Sequence, residues 1–214
     1  MATLGELKAR IIRETNRDEL ADTPGADATA ASSADLEGAI RRAIEFYAAK
    51  RFWFNETSGT TVTTIGSSTA PAPAGLRVDD YLDLAVGGQQ RRIARRDLHH
   101  VNALLGYGVT RGEPYDYARD GSLLRLYPIP RQVYTLTVFG LYDLTALDSD
   151  AASNAWTTEA EDLIAARTRF LLLRDTFRDP EGAGMARSAE DEALAALRGE
   201  SAQRAGTGRV RAAC

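Results

Sequence analysis

The sequence has no long hydrophobic run, only one cysteine and only two histidines. Its longest wholly apolar stretches span a few residues, as in 170–173, whereas a membrane-spanning helix needs ~20. The single cysteine, Cys214, excludes an internal disulfide and a zinc site made of cysteines. His99 and His100 are adjacent, so they cannot form the i, i+4 pair of a zinc-binding helix. We therefore expect a soluble protein without a membrane span, a metal ion or a cofactor.

Basic residues are fewer than acidic residues. The chain has 26 lysines and arginines against 30 aspartates and glutamates, which gives a net charge of −4. Proteins that bind nucleic acid draw much of their affinity from a basic surface, so this balance argues against a dedicated nucleic-acid binder. No G-x-S-x-G motif is present, and Ser67 and Ser68 have no histidine nearby in the sequence. We expect a protein that is not an enzyme.

Carboxylates are the remaining candidates for catalysis. Asp79, Asp80 and Glu161 could serve a hydrolase, although nothing in the sequence orients them. The G-A-G motif at 182–184 lacks the preceding strand and the third glycine of a dinucleotide-binding fingerprint, so we interpret it as a linker.

Aromatic residues make up only 7% of the sequence, yet five of them fall within nine positions. They form what we call the aromatic cluster: Phe46, Tyr47, Phe52, Trp53 and Phe54. Such a group could stack bases or sugars, cage a cation, line an apolar pocket or pack a junction of the fold. Base stacking needs interleaved basic residues, and only Lys50 and Arg51 lie close by in the sequence. We favour packing, in the core or between subunits, with ligand binding as the alternative.

Helical patterns begin and end the chain. Thr3 and Glu6 have capping-box spacing and predict a first helix that ends near residue 16, and residues 23–34 are predicted to form a flexible loop. An amphipathic helix follows from Ser33. Toward the other end, three further helix starts are predicted, from a capping box of Thr158 with Glu161, from Pro180 in a first turn, and from a cap of Ser188 with Asp191.

Strand patterns fill the middle of the chain. Residues 52–54 alternate like strand residues, and tight hairpin turns are predicted at Gly87-Gly88 and, as type I′, at Asp120-Gly121. Residues 132–142 are rich in β-branched and aromatic side chains and form the clearest strand pattern. Residues 95–106 are predicted to form a short helix between the strands.

These patterns predict an α+β fold. The two ends of the chain are expected to build a helical bundle module, residues 1–51 and 143–203, with an antiparallel β-rich module inserted at 52–142. A flexible C-terminal arm, 204–214, follows. The aromatic cluster then falls where the chain leaves the first module and enters the second.

The order of several segments resembles a known family. The segments are MATLGELKARIIRETNRDEL, AIEFYAAKRFWFNE, RGEPYDYARDGSLLRLYPIP, NAWTTEAEDLI and TGRVRA. Together, and over essentially the whole chain, they resemble the head-to-tail adaptor (connector) proteins of tailed bacteriophages. The family implies no reaction. Its members assemble as a dodecameric ring on the portal, extend the DNA exit channel and offer a platform to the next tail component.

The resemblance also implies partners and a docking segment. Residues 204–214 correspond to a portal-docking arm, in which arginines supply charge and a valine supplies an apolar contact: Arg204, Arg209, Arg211 and Val210. The expected partners are the portal protein, a downstream tail or nozzle protein, and further copies of the chain in a ring. The expected location is the neck of the virion, reached from the host cytoplasm, where the free protein is a monomer. Genomic DNA passes through the lumen without specific binding.

Two alternatives stay open. One is a tail-completion or stopper ring component lower in the tail, which would bind the adaptor and not the portal. The other is the hydrolase built on the carboxylates named above.

Overall fold

A computed structural model of the chain describes residues 2–15, 33–108 and 110–206. Within these ranges the chain forms six α-helices and nine β-strands. The helices are α1 (Leu4–Thr15), α2 (Ser33–Ala48), α3 (Leu98–Gly106), α4 (Ala155–Thr158), α5 (Glu161–Leu171) and α6 (Pro180–Gly206), with a π-helical segment, Leu172–Thr176, directly after α5. The strands are β1 (Glu56–Val62), β2 (Thr69–Pro71), β3 (Leu76–Val86), β4 (Gln89–Arg95), β5 (Arg111–Gly112), β6 (Asp116–Asp120), β7 (Leu123–Tyr127), β8 (Ile129–Pro130) and β9 (Thr135–Tyr142).

The chain divides into two compact units. The first consists of Met1–Phe54 and Leu144–Cys214 and contains five of the helices, and the second, Asn55–Asp143, contains α3 and the strands. The α+β class predicted from the sequence is confirmed.

Helix α1 begins at the predicted capping box. The backbone N–H of Glu6 donates to Thr3 Oγ1 at 3.2 Å, and the backbone N–H of Thr3 donates to Glu6 Oε2 at 2.8 Å. Helix α2 begins at Ser33, as predicted. The predicted loop at 23–34 lies outside the described residues up to position 32, and its last two residues belong to α2.

The helices of the first unit share one apolar core. Helix α5 contacts α1, α2 and α6. The side chains buried there include Leu7, Ile11, Leu36, Ile40, Ala43, Leu163, Ile164 and Leu172. Burial of each large aliphatic side chain contributes ~1.5–3 kcal/mol, so tertiary packing and not helix propensity stabilises the short helices of this unit.

The predicted capping box of Thr158 and Glu161 is wrong. Asn154 caps the four-residue helix α4 instead, because its Oδ1 accepts the backbone N–H of Trp156 at 2.8 Å while Thr157 Oγ1 accepts the backbone N–H of Asn154 at 3.1 Å. This cap starts a helix four residues early and leaves Thr158 as the last residue of α4. Helix α5 then begins at Glu161 without a side-chain cap.

Helix α6 is continuous over 27 residues. It begins at Pro180 as predicted, and Asp179 Oδ1 accepts the backbone N–H of Gly182 at 2.9 Å. The linker predicted at 182–184 is wrong, and so is the helix start predicted at Ser188, whose hydroxyl donates to a backbone carbonyl one turn earlier. Ala183, Ala186 and Ala189, which have high helix propensity, continue the helix through both points. Of the predicted arm, residues 204–206 belong to α6, and residues 207–214 lie outside the described part of the chain.

The second unit is built on a curled seven-stranded sheet in the order β1-β9-β3-β4-β6-β7-β2. Neighbouring strands are antiparallel except for β4 with β6, and the edge strands β1 and β2 come into contact as the sheet curls. The inner face holds a second core of buried side chains: Leu82, Leu84, Ile93, Tyr117, Leu124, Leu126, Leu136 and Val138. Strands β5 and β8 form a separate parallel pair.

Two hairpin turns join strands of the sheet. Gly87 and Gly88 connect β3 to β4 as predicted, with φ values of 58° and 81° that fit a type I′ turn. The other turn lies one residue later than predicted, at 121–122, because Asp120 still pairs with β7. Only Gly121 in this turn has a positive φ, 59°, so the turn follows the glycine-first pattern of type II′ and not type I′.

Strand β3 carries two bulges against β9, the second of them between Asp79 and Tyr81. The extra residue, Asp80, is exposed, while Asp79 points into the unit and is 3% exposed. Opposite the bulge the two backbones lie so close that a Cβ atom at Gly140 would overlap the carbonyl oxygen of Val78. Glycine is therefore required at this position.

Candidate functional site

The aromatic cluster lies at the end of α2 and in the turn that follows it. Tyr47 and Phe52 are 1% exposed, Trp53 and Phe54 are half-buried, and Phe46 is 44% exposed. The rings of Phe52 and Phe54 stack with their centroids 5.4 Å apart. Most of the cluster thus packs inward, and Phe46 presents its ring to solvent.

The turn after α2 differs from the strand predicted for residues 52–54. The backbone N–H of Lys50 donates to the carbonyl of Tyr47 at 2.8 Å and turns the chain, and β1 begins only at Glu56. The ring of Trp156, on α4, packs edge-to-face on Phe54 with the centroids 5.0 Å apart. The strand assignment for 52–54 is wrong, because aromatic packing and not sheet pairing determines the conformation here.

A buried carboxylate, Glu190 of α6, lies next to the aromatic cluster. It is 1% exposed, and it accepts a hydrogen bond from the hydroxyl of Tyr47. Arg167 Nη1 lies 3.3 Å from Glu190 Oε1, and Arg187 Nη1 lies 3.2 Å from Glu190 Oε2. Burial, together with the bond to Glu190, raises the pKa of Tyr47 above its usual range, so this hydroxyl remains a donor. These four side chains connect α2, α5 and α6.

Cations and aromatic rings alternate along the surface beside Glu190. The ring centroid of Phe46 lies 4.4 Å from Lys50 Nζ and 4.1 Å from Arg167 Cζ. The ring centroid of Phe170 lies 5.3 Å from Arg167 Cζ and 5.0 Å from Arg174 Cζ. We call these five residues, Lys50, Phe46, Arg167, Phe170 and Arg174, the cation–aromatic ladder. Cation–π contacts of this kind contribute ~0.5–1 kcal/mol each at exposed sites.

The basic residues next to the aromatic cluster in the sequence do not reveal the ladder. The arginines of the ladder come from α5 and the π-helical segment, far away along the chain. One signal was available: Arg167, Phe170 and Arg174 recur at intervals of three and four residues, which places them on one helical face.

Of the residues predicted for the portal-docking arm, the structure describes Arg204. Its guanidinium carbon lies 3.6 Å from the ring centroid of Trp53, and its Nη2 lies 2.5 Å from Glu200 Oε1. Arg204 therefore ties the last turns of α6 to the aromatic cluster. The other three residues lie outside the described part of the chain: Arg209, Val210 and Arg211.

The carboxylates considered for hydrolysis are held by ion pairs and hydrogen bonds. Asp79 Oδ2 lies 3.3 Å from Arg95 Nε and accepts the hydroxyl of Tyr117 at 3.0 Å. Glu161 Oε1 lies 2.9 Å from Arg10 Nη1. Asp79 and Glu161 belong to different units, and these contacts give each a structural role within its own unit.

The described residues contain no group of three or more histidine, cysteine, aspartate or glutamate side chains placed to hold a metal ion. Across the same ranges, no helix combines the length and the apolar character needed to cross a membrane.

A comparison with known families gives a match over nearly the whole chain. A family model described as SU10 adaptor protein matches residues 2–212, which is nearly the whole chain and includes both units and the aromatic cluster. No curated protein matches the chain.

Proposed function

The chain belongs to the SU10 adaptor protein family, and from this membership we propose that it is a structural adaptor of a tailed bacteriophage particle, joining the head to the tail. The match over residues 2–212 carries this proposal. In the proposed particle, copies of the chain form a dodecameric ring on the portal protein, extend the DNA exit channel and hold the next tail protein below. The protein acts by binding and not by catalysis, and its place is the neck of the virion.

The net charge of the chain supports a channel that lets DNA pass without binding it specifically. Each phosphate that a lumen neutralises adds affinity for the passing duplex and slows its movement. The net charge of −4 suits a lumen through which DNA slides without specific binding.

The arm contacts an acidic surface on the portal. Residues 207–214 contain Arg209, Val210 and Arg211 and no acidic residue. Arg204 is already held by Glu200 and Trp53, so it fixes the base of the arm, and the portal contacts begin at Arg209. The free protein is a monomer in the host cytoplasm, and the ring assembles on the portal, where repetition of a weak contact in each subunit raises the overall affinity.

Truncation after Gly206 tests the arm. The truncated protein retains all of α6 and both cores, so we expect an unchanged melting temperature and no co-sedimentation with purified portal rings. A matched control lacks only residues 212–214 and keeps Arg209, Val210 and Arg211, so it should sediment with the portal like the full chain. Portal binding by the protein truncated after Gly206 would refute the role of the arm.

A further inference from the structure

Three exposed aliphatic side chains occur at the end of the sheet where β1 ends and β9 begins. Val62, Ile65 and Val133 are each more than half exposed. Val62 pairs with Thr135, and Val133 precedes Thr135 by two residues on the exposed side of the chain, so Val133 is the diagonal neighbour of Val62. Ile65 follows in the turn directly after β1. We call Val62, Ile65 and Val133 the apolar tip.

Hydrogen bonds hold the backbone of the apolar tip in place. The backbone N–H of Thr63 donates to the carbonyl of Tyr134 at 2.9 Å, and the backbone N–H of Gly66 donates to the carbonyl of Pro130 at 2.9 Å. Ile65 lies between these two bonds. A surface that is ordered before binding loses little conformational entropy when a partner covers it. The apolar tip therefore has the character of a protein interaction site.

An arginine without a counter-charge lies beside the apolar tip. A Cβ atom at Gly66 would lie 4.0 Å from Arg111 Nη2, which places this guanidinium group next to the turn of Ile65. Glu113 lies 3.1 Å from Arg91 and 3.5 Å from Arg131, so its carboxylate already serves two arginines. The exposed side chain of Arg111 makes no ion pair or hydrogen bond with the residues that the structure describes. A partner of the tip is thus expected to offer a carboxylate.

A groove on the first unit combines an apolar floor with a charged rim. Helices α1, α5 and α6 enclose about 370 Å³ there. A cavity of ~150 Å³ can hold benzene, so this groove has room for a branched aliphatic side chain. We call it the alanine groove after the residues that form its floor: Ala166, Ala189, Ala193 and Ala196.

The rim of the alanine groove carries a carboxylate without a counter-charge. Arg10 lies 2.7 Å from Glu14 and 2.6 Å from Asp162, and Arg169 lies 3.0 Å from Glu14, so these four side chains neutralise one another. The fifth charged residue of the rim, Glu192, is exposed. Over residues 2–15, 33–108 and 110–206 the structure gives its side chain neither an ion pair nor a hydrogen bond. The groove therefore matches the apolar tip both in polarity and in charge.

We propose that the apolar tip of one copy of the chain docks in the alanine groove of a second copy, where Arg111 pairs with Glu192 of that copy. The proposal rests on the ring of the proposed function and identifies a contact between neighbouring copies. Two different surfaces meet in this contact, and a head-to-tail contact of this kind can close into a ring.

The size of the contact fits a ring that forms only on a template. A standard interface buries ~800 Å² on each partner, and three partly exposed aliphatic side chains supply only part of that area. One contact alone is therefore weak. Repetition around a ring that is already held at another surface makes it strong.

Cross-linking between two single-cysteine variants tests the contact in solution. In both proteins Cys214→Ser removes the native thiol, and one then carries Thr64→Cys beside Ile65 while the other carries Ala196→Cys in the groove. The two are mixed at about 1 mM, because a contact with a Kd in the millimolar range is populated there. A short bis-maleimide adds to one thiol of each protein. Only contacts between separate molecules give the mixed product, whose yield is read by gel electrophoresis and mass spectrometry.

We expect the mixed product to exceed by at least fivefold the product from a matched control. The control replaces Thr64→Cys by Leu123→Cys, which places the thiol at an exposed aliphatic residue at the start of β7. Ile65→Ser in the Thr64→Cys protein should lower the yield to the control level, because it removes the apolar anchor from an exposed position. Melting curves confirm that each variant folds.

Exchange of the two charges tests the pairing of Arg111 with Glu192. Arg111→Glu in the Thr64→Cys protein should lower the mixed yield about fivefold, and so should Glu192→Arg in the Ala196→Cys protein, because each places like charges together. The two substitutions combined should restore most of the yield, since the attraction is rebuilt with its signs reversed.

Three results would overturn the proposal. One is a mixed yield no higher than that of the Leu123→Cys control, and another is a predominant product that joins two Thr64→Cys proteins, which would mean that the tip pairs with itself. The third is failure of the combined charge exchange to restore the yield. None of these measurements contains the portal, so association of the wild-type protein with portal rings can still stand when this contact is refuted.

Discussion

Glu190 shows how strongly one residue can depend on partners that are distant in sequence. Its carboxylate is almost fully buried, and such a charge is stable only when it is paired and hydrogen-bonded. Arg167, Arg187 and Tyr47 supply those bonds from three helices. Removal of the carboxylate would leave Arg167, which is 13% exposed, without its counter-charge.

We expect Glu190→Gln to lower the free energy of unfolding by ~3–5 kcal/mol, because it breaks a buried ion pair and leaves cations uncompensated. Denaturant unfolding followed by circular dichroism measures the change. Glu200→Gln is the matched control, since its ion pair with Arg204 is largely exposed and is worth at most ~1 kcal/mol. Equal effects of the two substitutions would contradict the structural role of the Glu190 network.

At this scale the sequence allows only part of the site to be predicted. The inward packing of Tyr47 follows from the apolar stripe of α2, and the structure buries that ring. The partners of Tyr47 on α5 and α6 could not be predicted from the sequence. Tertiary packing determines how the helices align, and the residue spacing within one helix does not show that alignment. The spacing of Arg167, Phe170 and Arg174 indicates a shared face, but not that this face lies beside Phe46.

At the scale of elements, some helix starts follow from the sequence and others do not. The starts at Thr3 with Glu6, at Ser33 and at Pro180 are confirmed. The box of Thr158 with Glu161 fails because Asn154 begins a helix four residues earlier. The Asn154 side chain also donates to the carbonyl of a preceding residue, Thr145, at 2.7 Å, which fixes the entry of the chain into α4.

We expect Asn154→Ala to lower the free energy of unfolding by ~1–2 kcal/mol, because the substitution removes an N-cap and a second hydrogen bond. Thr158→Ala serves as the control. It removes only a hydroxyl that donates to a carbonyl within the same turn at 3.2 Å, so its effect should stay near zero. Chemical denaturation of both variants measures the difference. A larger loss from Thr158→Ala would mean that the capping box lies where the sequence first suggested.

The positions of the strands and turns were also only partly predictable from the sequence. Alternation and glycine-containing dipeptides locate the hairpins, but the exact turn residues depend on how far each pair of strands continues. Asp120 pairs to the end of β6, and the turn shifts by one residue. The bulges of β3 leave no clear pattern in the sequence, although the glycine they require, Gly140, interrupts the β-branched and aromatic run of β9.

At the scale of the whole molecule, the order of helices, strands and helices was enough to predict the α+β class. It was not enough to predict function, since one fold class serves many unrelated functions. The family match over residues 2–212 carries the functional conclusion. Composition supports it, because an acidic chain with a basic final segment suits a ring that binds a partner and lets DNA pass.

Assembly on portal rings is the most direct test of the proposed adaptor function. Light scattering measures the mass of the purified protein alone and after it is mixed with purified portal rings. We expect a monomer alone and a stoichiometric ring of twelve copies on each portal, because contacts that are weak singly become strong when they repeat around a closed ring. If the protein shows no association with portal rings at concentrations well above micromolar, the adaptor account is contradicted.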